Sequence, residues 1–220
     1  MKISNLAIVA SGLLVACSAP CSAAYVINNL TGGTQSYSES LSGPDGMDDF
    51  GFPFDNREIA FSFTTGTAAV YLTEISFVSS IAGFTNSSPI QLALSTGSNA
   101  PGGINPLVVG TVSHSGLSPI TQTLTLVPGA TPVLQANTLY WVHFTVPSGS
   151  NVYTVHNANS PVVDPGWSLG TTWRSEPFTN WEEISPTLFP RVRLGVEVVP
   201  EPSALLSASL GFLVLLRRRK

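Results

Sequence analysis

From Ile59 onward, apolar side chains recur at alternate positions in short runs. Ile59, Phe61 and Phe63 share one face, with Glu58, Ser62 and Thr64 on the other. Ile90, Leu92 and Leu94 alternate with Gln91, Ala93 and Ser95. Leu124 and Leu126 alternate with Thr121, Thr123 and Thr125. Tyr140, Val142, Phe144 and Val146 alternate with Trp141, His143 and Thr145. Val192, Leu194, Val196 and Val198 alternate with Arg191, Arg193 and Glu197. Side chains of a strand point alternately to its two faces, so each run predicts a half-buried strand. The β-branched and aromatic content agrees. Residues 71–78, 107–113 and 152–156 are further strand candidates. Turn chemistry separates the runs, at Thr65-Gly66, residues 99–103, Pro128-Gly129 and residues 147–149. No convincing helical period stands between Tyr25 and Val199. The pattern predicts an all-β, antiparallel, jelly-roll-like β-sandwich over residues 57–199. Residues 25–56 are rich in Gly, Ser and Asp and predict a loop-rich N-terminal arm.

The two ends break this pattern. Met1-Lys2 precedes an apolar stretch at residues 6–16, the length of a signal-peptide core, and Ser22-Ala23-Ala24 supplies small residues at −3 and −1. Residues 1–24 therefore predict a signal peptide, cut after Ala24 by signal peptidase. Leu14-Val15-Ala16-Cys17 also fits a bacterial lipobox, so lipidation at Cys17 is the alternative. At the other end, Val199-Pro200-Glu201-Pro202 precedes an unbroken run of apolar and small residues over 204–216. The chain then closes on Arg217, Arg218, Arg219 and Lys220. As a helix this run covers roughly 20 Å, against a hydrocarbon core of about 30 Å. A short transmembrane helix over this stretch spans only with local thinning or snorkelling cations. The terminal cations stay on the cytoplasmic side and act as a membrane stop. The two prolines remove N–H donors and hold Val199 and Glu201 extended, which leaves a stiff segment that an enzyme can grip.

Pro200-Glu201-Pro202, the short apolar helix and the cluster from Arg217 to Lys220 resemble the PEP-CTERM protein-sorting signal, over residues 200–220. The resemblance implies recognition by an exosortase, a transpeptidase-like membrane enzyme of Gram-negative bacteria whose systems accompany exopolysaccharide production. It implies a precursor anchored transiently in the inner membrane, cleavage near the triplet, and delivery to the cell surface or extracellular matrix.

Composition narrows the function of the body. Both cysteines, Cys17 and Cys21, fall in the signal region, so thiol catalysis, disulfides and cysteine metal sites are excluded from residues 25–199. That stretch carries twelve Asp/Glu and only four cations, Arg57, Arg174, Arg191 and Arg193. Its charge of about −8 is masked by the basic tail in the whole-chain value of −4. Binding to nucleic acid or to an anionic membrane needs the opposite sign.

Candidate chemistry is sparse. Asp45, Asp48 and Asp49 cluster, yet their spacing departs from a calcium loop, and a solvated acidic loop is expected. His114, His143 and His156 lie in separate runs without zinc-site spacing, so no metal site and no cofactor are expected. Trp167, Trp173 and Trp181 fall in one turn-rich stretch. They either plug an end of the sandwich or offer ring faces to sugars. Glu182 and Glu183 are adjacent on a strand and point oppositely, which does not suit the two facing carboxylates of glycoside hydrolysis. No GxSxG or SxxK pattern occurs.

The order of features also resembles the choice-of-anchor R type of bacterial surface domain, over most of residues 57–198. The matching segments are Phe61-Ser-Phe-Thr-Thr-Gly66, Leu72-Thr-Glu-Ile75, Leu92-Ala-Leu-Ser95, Ala100-Pro-Gly-Gly103 and Leu134-Gln-Ala-Asn-Thr-Leu-Tyr-Trp141, with Trp173 and Trp181 later. The resemblance transfers no catalytic residues. The expected function is that of an exported, non-enzymatic structural protein of the surface or matrix. A polysaccharide-binding adhesin or lectin is the alternative, and a secreted hydrolase ranks third.

Overall fold

The computed structural model describes residues 24–30, 38–43, 46–47, 53–54, 57–81, 88–97, 100–101, 106–113, 118–148, 152–158, 162–175, 180–185 and 189–199. Residues 1–23 of the expected signal peptide, Cys17 among them, the aspartates 45, 48 and 49, His114, the Pro200–Glu201–Pro202 triplet, the expected C-terminal helix and its cations lie outside them.

The described residues contain strands and no helix. In chain order these are β1 (Ala24–Asn28), β2 (Ser38–Ser42), β3 (Gly46–Met47), β4 (Pro53–Phe54), β5 (Glu58–Thr64) and β6 (Val70–Ile81). There follow β7 (Ile90–Thr96), β8 (Leu107–Val112), β9 (Ile120–Thr125), β10 (Val133–Leu134), β11 (Leu139–Thr145) and β12 (Val152–Ala158). The last are β13 (Val162–Val163), β14 (Ser168–Ser175), β15 (Glu182–Ser185), β16 (Phe189–Pro190) and β17 (Val192–Val198).

Two antiparallel sheets face each other. The six-stranded sheet runs β15-β14-β5-β11-β7-β8. The nine-stranded sheet runs β13-β1-β17-β6-β12-β16, with β9 and β10 also on β6 and β2 also on β12. The period-2 runs fix which face turns inward. Ile59, Phe61, Phe63, Val142 and Phe144 of one sheet meet Leu72, Ile75, Phe77, Val155 and Leu194 of the other in one core, all fully buried. Phe144 packs its ring edge-on against Phe77 of the opposite sheet, centroids 4.8 Å apart.

Two features were hidden from simple alternation. In β6 the inward face shifts by one residue, from Leu72 to Ile75. The pairing jumps from Gly195↔Glu74 to Val196↔Leu72, so Thr73 is the extra residue of a β-bulge. Residues 25–56, expected as a loop-rich arm, supply two strands to the sandwich. β1 lies between β13 and β17, and β2 pairs with β12. β2 has one apolar residue, Leu41, and β1 breaks its alternation at a bulge between Tyr25 and Ile27.

Antiparallel pairing gives the sandwich two unlike ends. At one end lie the start of β1, the end of β17 and the starts of β6, β11 and β14 (Ala24↔Val196, Val198↔Val70, Leu139↔Thr64, Ser168↔Thr64). A dense set of turn bonds closes this end. The Thr65 Oγ1–H donates to Gln135 O at 2.6 Å, and Thr138 N–H donates to Thr65 Oγ1 at 2.9 Å. Asn137, in the left-handed region at φ 49°, donates its N–H to Gly66 O at 2.8 Å. Val199 N–H donates to Ala69 O at 3.1 Å. At the opposite end lie Glu58, Gln91 and Thr145, the ends of β5, β7 and β11 that face away from those turns.

Candidate functional site

The three candidate tryptophans separate into two kinds. Trp167 belongs to the closed end. Its ring stacks on Phe63 at 6.2 Å and 16°, and Phe63 stacks on Tyr140 at 5.7 Å. Gly66 lies beneath it, and a Cβ there would come within 2.7 Å of the Trp167 indole nitrogen. Trp167 is thus an end plug of the core. Trp173 and Trp181 are outside the core. Both are half-buried and lie over the outward face of the six-stranded sheet. Trp173 meets Trp141 edge-on at 5.8 Å, and Trp181 meets His143 edge-on at 5.6 Å.

The outward face is built in cross-strand rows. One row reads Trp173–Ala60–His143–Ala93–Val108 across five strands. A neighbouring row reads Ser62–Trp141–Ser95. Towards the end away from the plug, Ser175 pairs with Glu58, Thr145 with Gln91, and Gln91 with Thr111. Ala60 and Ala93 flank His143, so a large ring stands between two short side chains. On the Ala93 side the missing bulk leaves a hollow. It forms a pocket of about 400 Å³ lined by Glu58, Gln91, Ala93, Val108, His143 and Thr145, with Pro106 and Pro147 at its rim. β14 reaches this face through a bulge. Gly170 and Thr171 together oppose Ser62, and a Cβ at Gly170 would collide with the Ser62 hydroxyl. That bulge re-aims the strand so that Thr172 points inward to Asn157 while Trp173 points outward.

Alternation places His143 opposite the core, and there it is 2 % exposed. Its Nε2 and the Ser95 hydroxyl are 2.7 Å apart. Burial pushes its pKa down to about 4, so the ring is neutral at physiological pH. Burial also pushes the Glu58 carboxyl above the ordinary carboxylate range. Both titratable groups of the pocket are thereby driven towards their uncharged forms. The hollow offers an amide, a hydroxyl, an imidazole and a carboxyl beside flat apolar surface.

His156 lies in β12 of the other sheet, 3.1 Å from the Ser80 hydroxyl, and its pKa is lowered by burial and then by Arg191. It shares no site with His143, and no group of three metal-ligating side chains occurs among the described residues. Glu182 and Glu183 part company as strand geometry requires. Glu182 accepts from Arg174 Nε at 2.7 Å, whereas Glu183 accepts from the Thr171 hydroxyl at 2.5 Å. Neither lines the pocket, whose one carboxylate among the described residues is Glu58.

Glu58, Gln91 and Thr145 were missed from sequence because alternation assigns them to a solvated face. The available signal was the alanine at 60 and at 93, each on the non-core face, beside the large rings of Trp141 and His143.

Residues 198–220 match the model of the PEP-CTERM protein-sorting motif. No curated protein matches the chain. The motif marks an exported protein that is processed by an exosortase and is transiently membrane-anchored beforehand. The matched segment begins on Val198, the last residue of β17, so the sorting signal leaves directly from the closed end of the sandwich.

Proposed function

We propose that this chain is a non-enzymatic structural protein of the cell surface or extracellular matrix, with the β-sandwich as the cargo of the sorting signal. The observation that carries the reading is the contiguity of the motif with β17. A folded sheet ends at Val198, two positions before Pro200, so only Val199 separates it from the triplet. The resemblance to choice-of-anchor R surface domains belongs to the same reading, as does removal of residues 1–24 by signal peptidase. The test is replacement of Pro200, Glu201 and Pro202 by alanine in the native host. The expected result is an uncleaved precursor that accumulates in the inner membrane. Normal surface yield of the triple variant contradicts the proposal.

A second reading is polysaccharide binding. One observation favours it: Trp173 and Trp181 lie over an outward sheet face and not in the core.

A further inference from the structure

We propose that the hollow beside His143 is a binding site for one unit of an uncharged saccharide chain, held by Glu58, Gln91 and Thr145, with Trp181 packed against the lining His143. The inference rests on the polysaccharide-binding reading. It names a site distinct from the Trp167 region and a ligand class that the tryptophans alone do not define.

Four observations converge. The pocket volume of about 400 Å³ lies within the roughly 300–1,000 Å³ of small-ligand sites. Its lining joins hydrogen-bonding groups to flat apolar surface from Pro106, Val108 and Pro147. A pyranose ring has the same two-sided character, with hydroxyls around its rim and C–H groups on its faces. Third, the charge of about −8 on residues 25–199 opposes an anionic polysaccharide. The Glu58 carboxyl and the His143 imidazole are also both pressed towards neutrality, which suits an uncharged partner. Fourth, position fits the role. The pocket runs from His143 towards Glu58, Thr145 and Pro147, away from the end where β17 gives way to the sorting motif. A chain held by that motif therefore presents the hollow away from its tether.

The full chain in a sugar-free zwitterionic detergent is titrated calorimetrically with two sets of probes. One set holds neutral oligosaccharides of glucose, galactose, mannose and N-acetylglucosamine. The other holds oligogalacturonate and oligoalginate. At least one neutral probe is expected to bind saturably, with affinity lowered roughly tenfold or more by Gln91→Ala and by Trp181→Ala, the scale of a lost buried hydrogen bond. Trp167→Phe leaves that affinity within about twofold, because Trp167 is at the other end of the molecule. Circular dichroism confirms that each variant is folded. Neutral binding that survives both Gln91→Ala and Trp181→Ala overturns the site and leaves the polysaccharide reading standing. Binding of the acidic probes alone overturns the uncharged-ligand assignment. Absence of binding by either set overturns both the site and that reading. Self-association that is abolished by the same two substitutions shows that a second copy occupies the face and overturns the proposal.

Discussion

The two ends of this sandwich are built from the same strands yet finished differently. At one end Trp167, Phe63 and Tyr140 stack in a column, and Thr65, Gln135, Asn137 and Thr138 bind one another in a tight knot of turns. Towards the other, Ala93 leaves a hollow beside a buried, neutral histidine. The first is filled to its limit, to the point that Gly66 has no room for a Cβ. The second lies outside the core, on the outward face of the six-stranded sheet. The chain leaves the sheet at the filled end, and the hollow lies farther from the leaving point. Among the described residues, the knot of turn bonds thus lies where the chain leaves the sheet, and the pocket volume lies away from it.

Substitutions at the two ends should therefore differ in kind. The largest effect is expected for Trp167→Ala, which removes the plug and leaves Phe63 uncovered, at a cost of about 3 kcal/mol in stability with little change in ligand affinity. Urea denaturation measures it, and a loss under about 1 kcal/mol would show that the plug is ornamental.

Next is the effect of pH. The folded protein keeps His143 neutral down to about 4, while the unfolded chain takes up the proton near 6.5. Stability from this group is complete above about pH 6.5, falls between there and about 4, and is level below. The total is on the order of 2–3 kcal/mol. His156, lowered in the same direction, adds to the fall, whereas Glu58, raised by burial, acts oppositely because its folded form holds the proton more readily. Urea midpoints at pH 7.5 and 4.5 read the difference, and His143→Gln should remove the larger part. Equal midpoints in the unaltered protein contradict a buried neutral ring.

Trp181→Ala comes third. It loses one edge-on ring contact with His143, worth roughly 1 kcal/mol, and its larger consequence is on ligand affinity. A stability loss as great as that of Trp167→Ala would erase the distinction between the ends. The smallest effect belongs to the outward face of the nine-stranded sheet. There Arg193 pairs with Glu74 at 2.7 Å and covers the Tyr25 ring at 4.3 Å. Both charged side chains are partly solvated, so Arg193→Gln should cost under about 1 kcal/mol, and less in high salt. A larger loss would mean that β1 depends on this cluster to stay docked.

How much of this was legible in the sequence follows from what alternation encodes. β5, β7, β11 and β17 have a core face of large apolar residues, and their runs declared them. β14 did not, because Gly170-Thr171 form a bulge and break the period between Leu169 and Thr172. β1 and β2 went unseen because a bulge between Tyr25 and Ile27 breaks the alternation of β1 and β2 has one apolar residue, Leu41. Of the tryptophans, sequence offered core plug or exposed platform as alternatives for the group, and the structure divides them between Trp167 on one side and Trp173 and Trp181 on the other. The pocket was the least legible part. A hollow on a sheet is an absence of atoms created by residues from several strands, and single-strand alternation carries no record of neighbours. The sorting motif lies at the other extreme. Its signal is local and needs no fold, and the match over residues 198–220 agrees with it.

The most direct test of the central claim, a folded sandwich cut free from its tether at the closed end, is the intact mass of the protein recovered from the surface or matrix of its native host. The account predicts a chain that begins at Tyr25, the second residue of β1, and ends beside the Pro200–Glu201–Pro202 triplet, without residues 204–220. A surface-located chain that still carries Lys220 would contradict it.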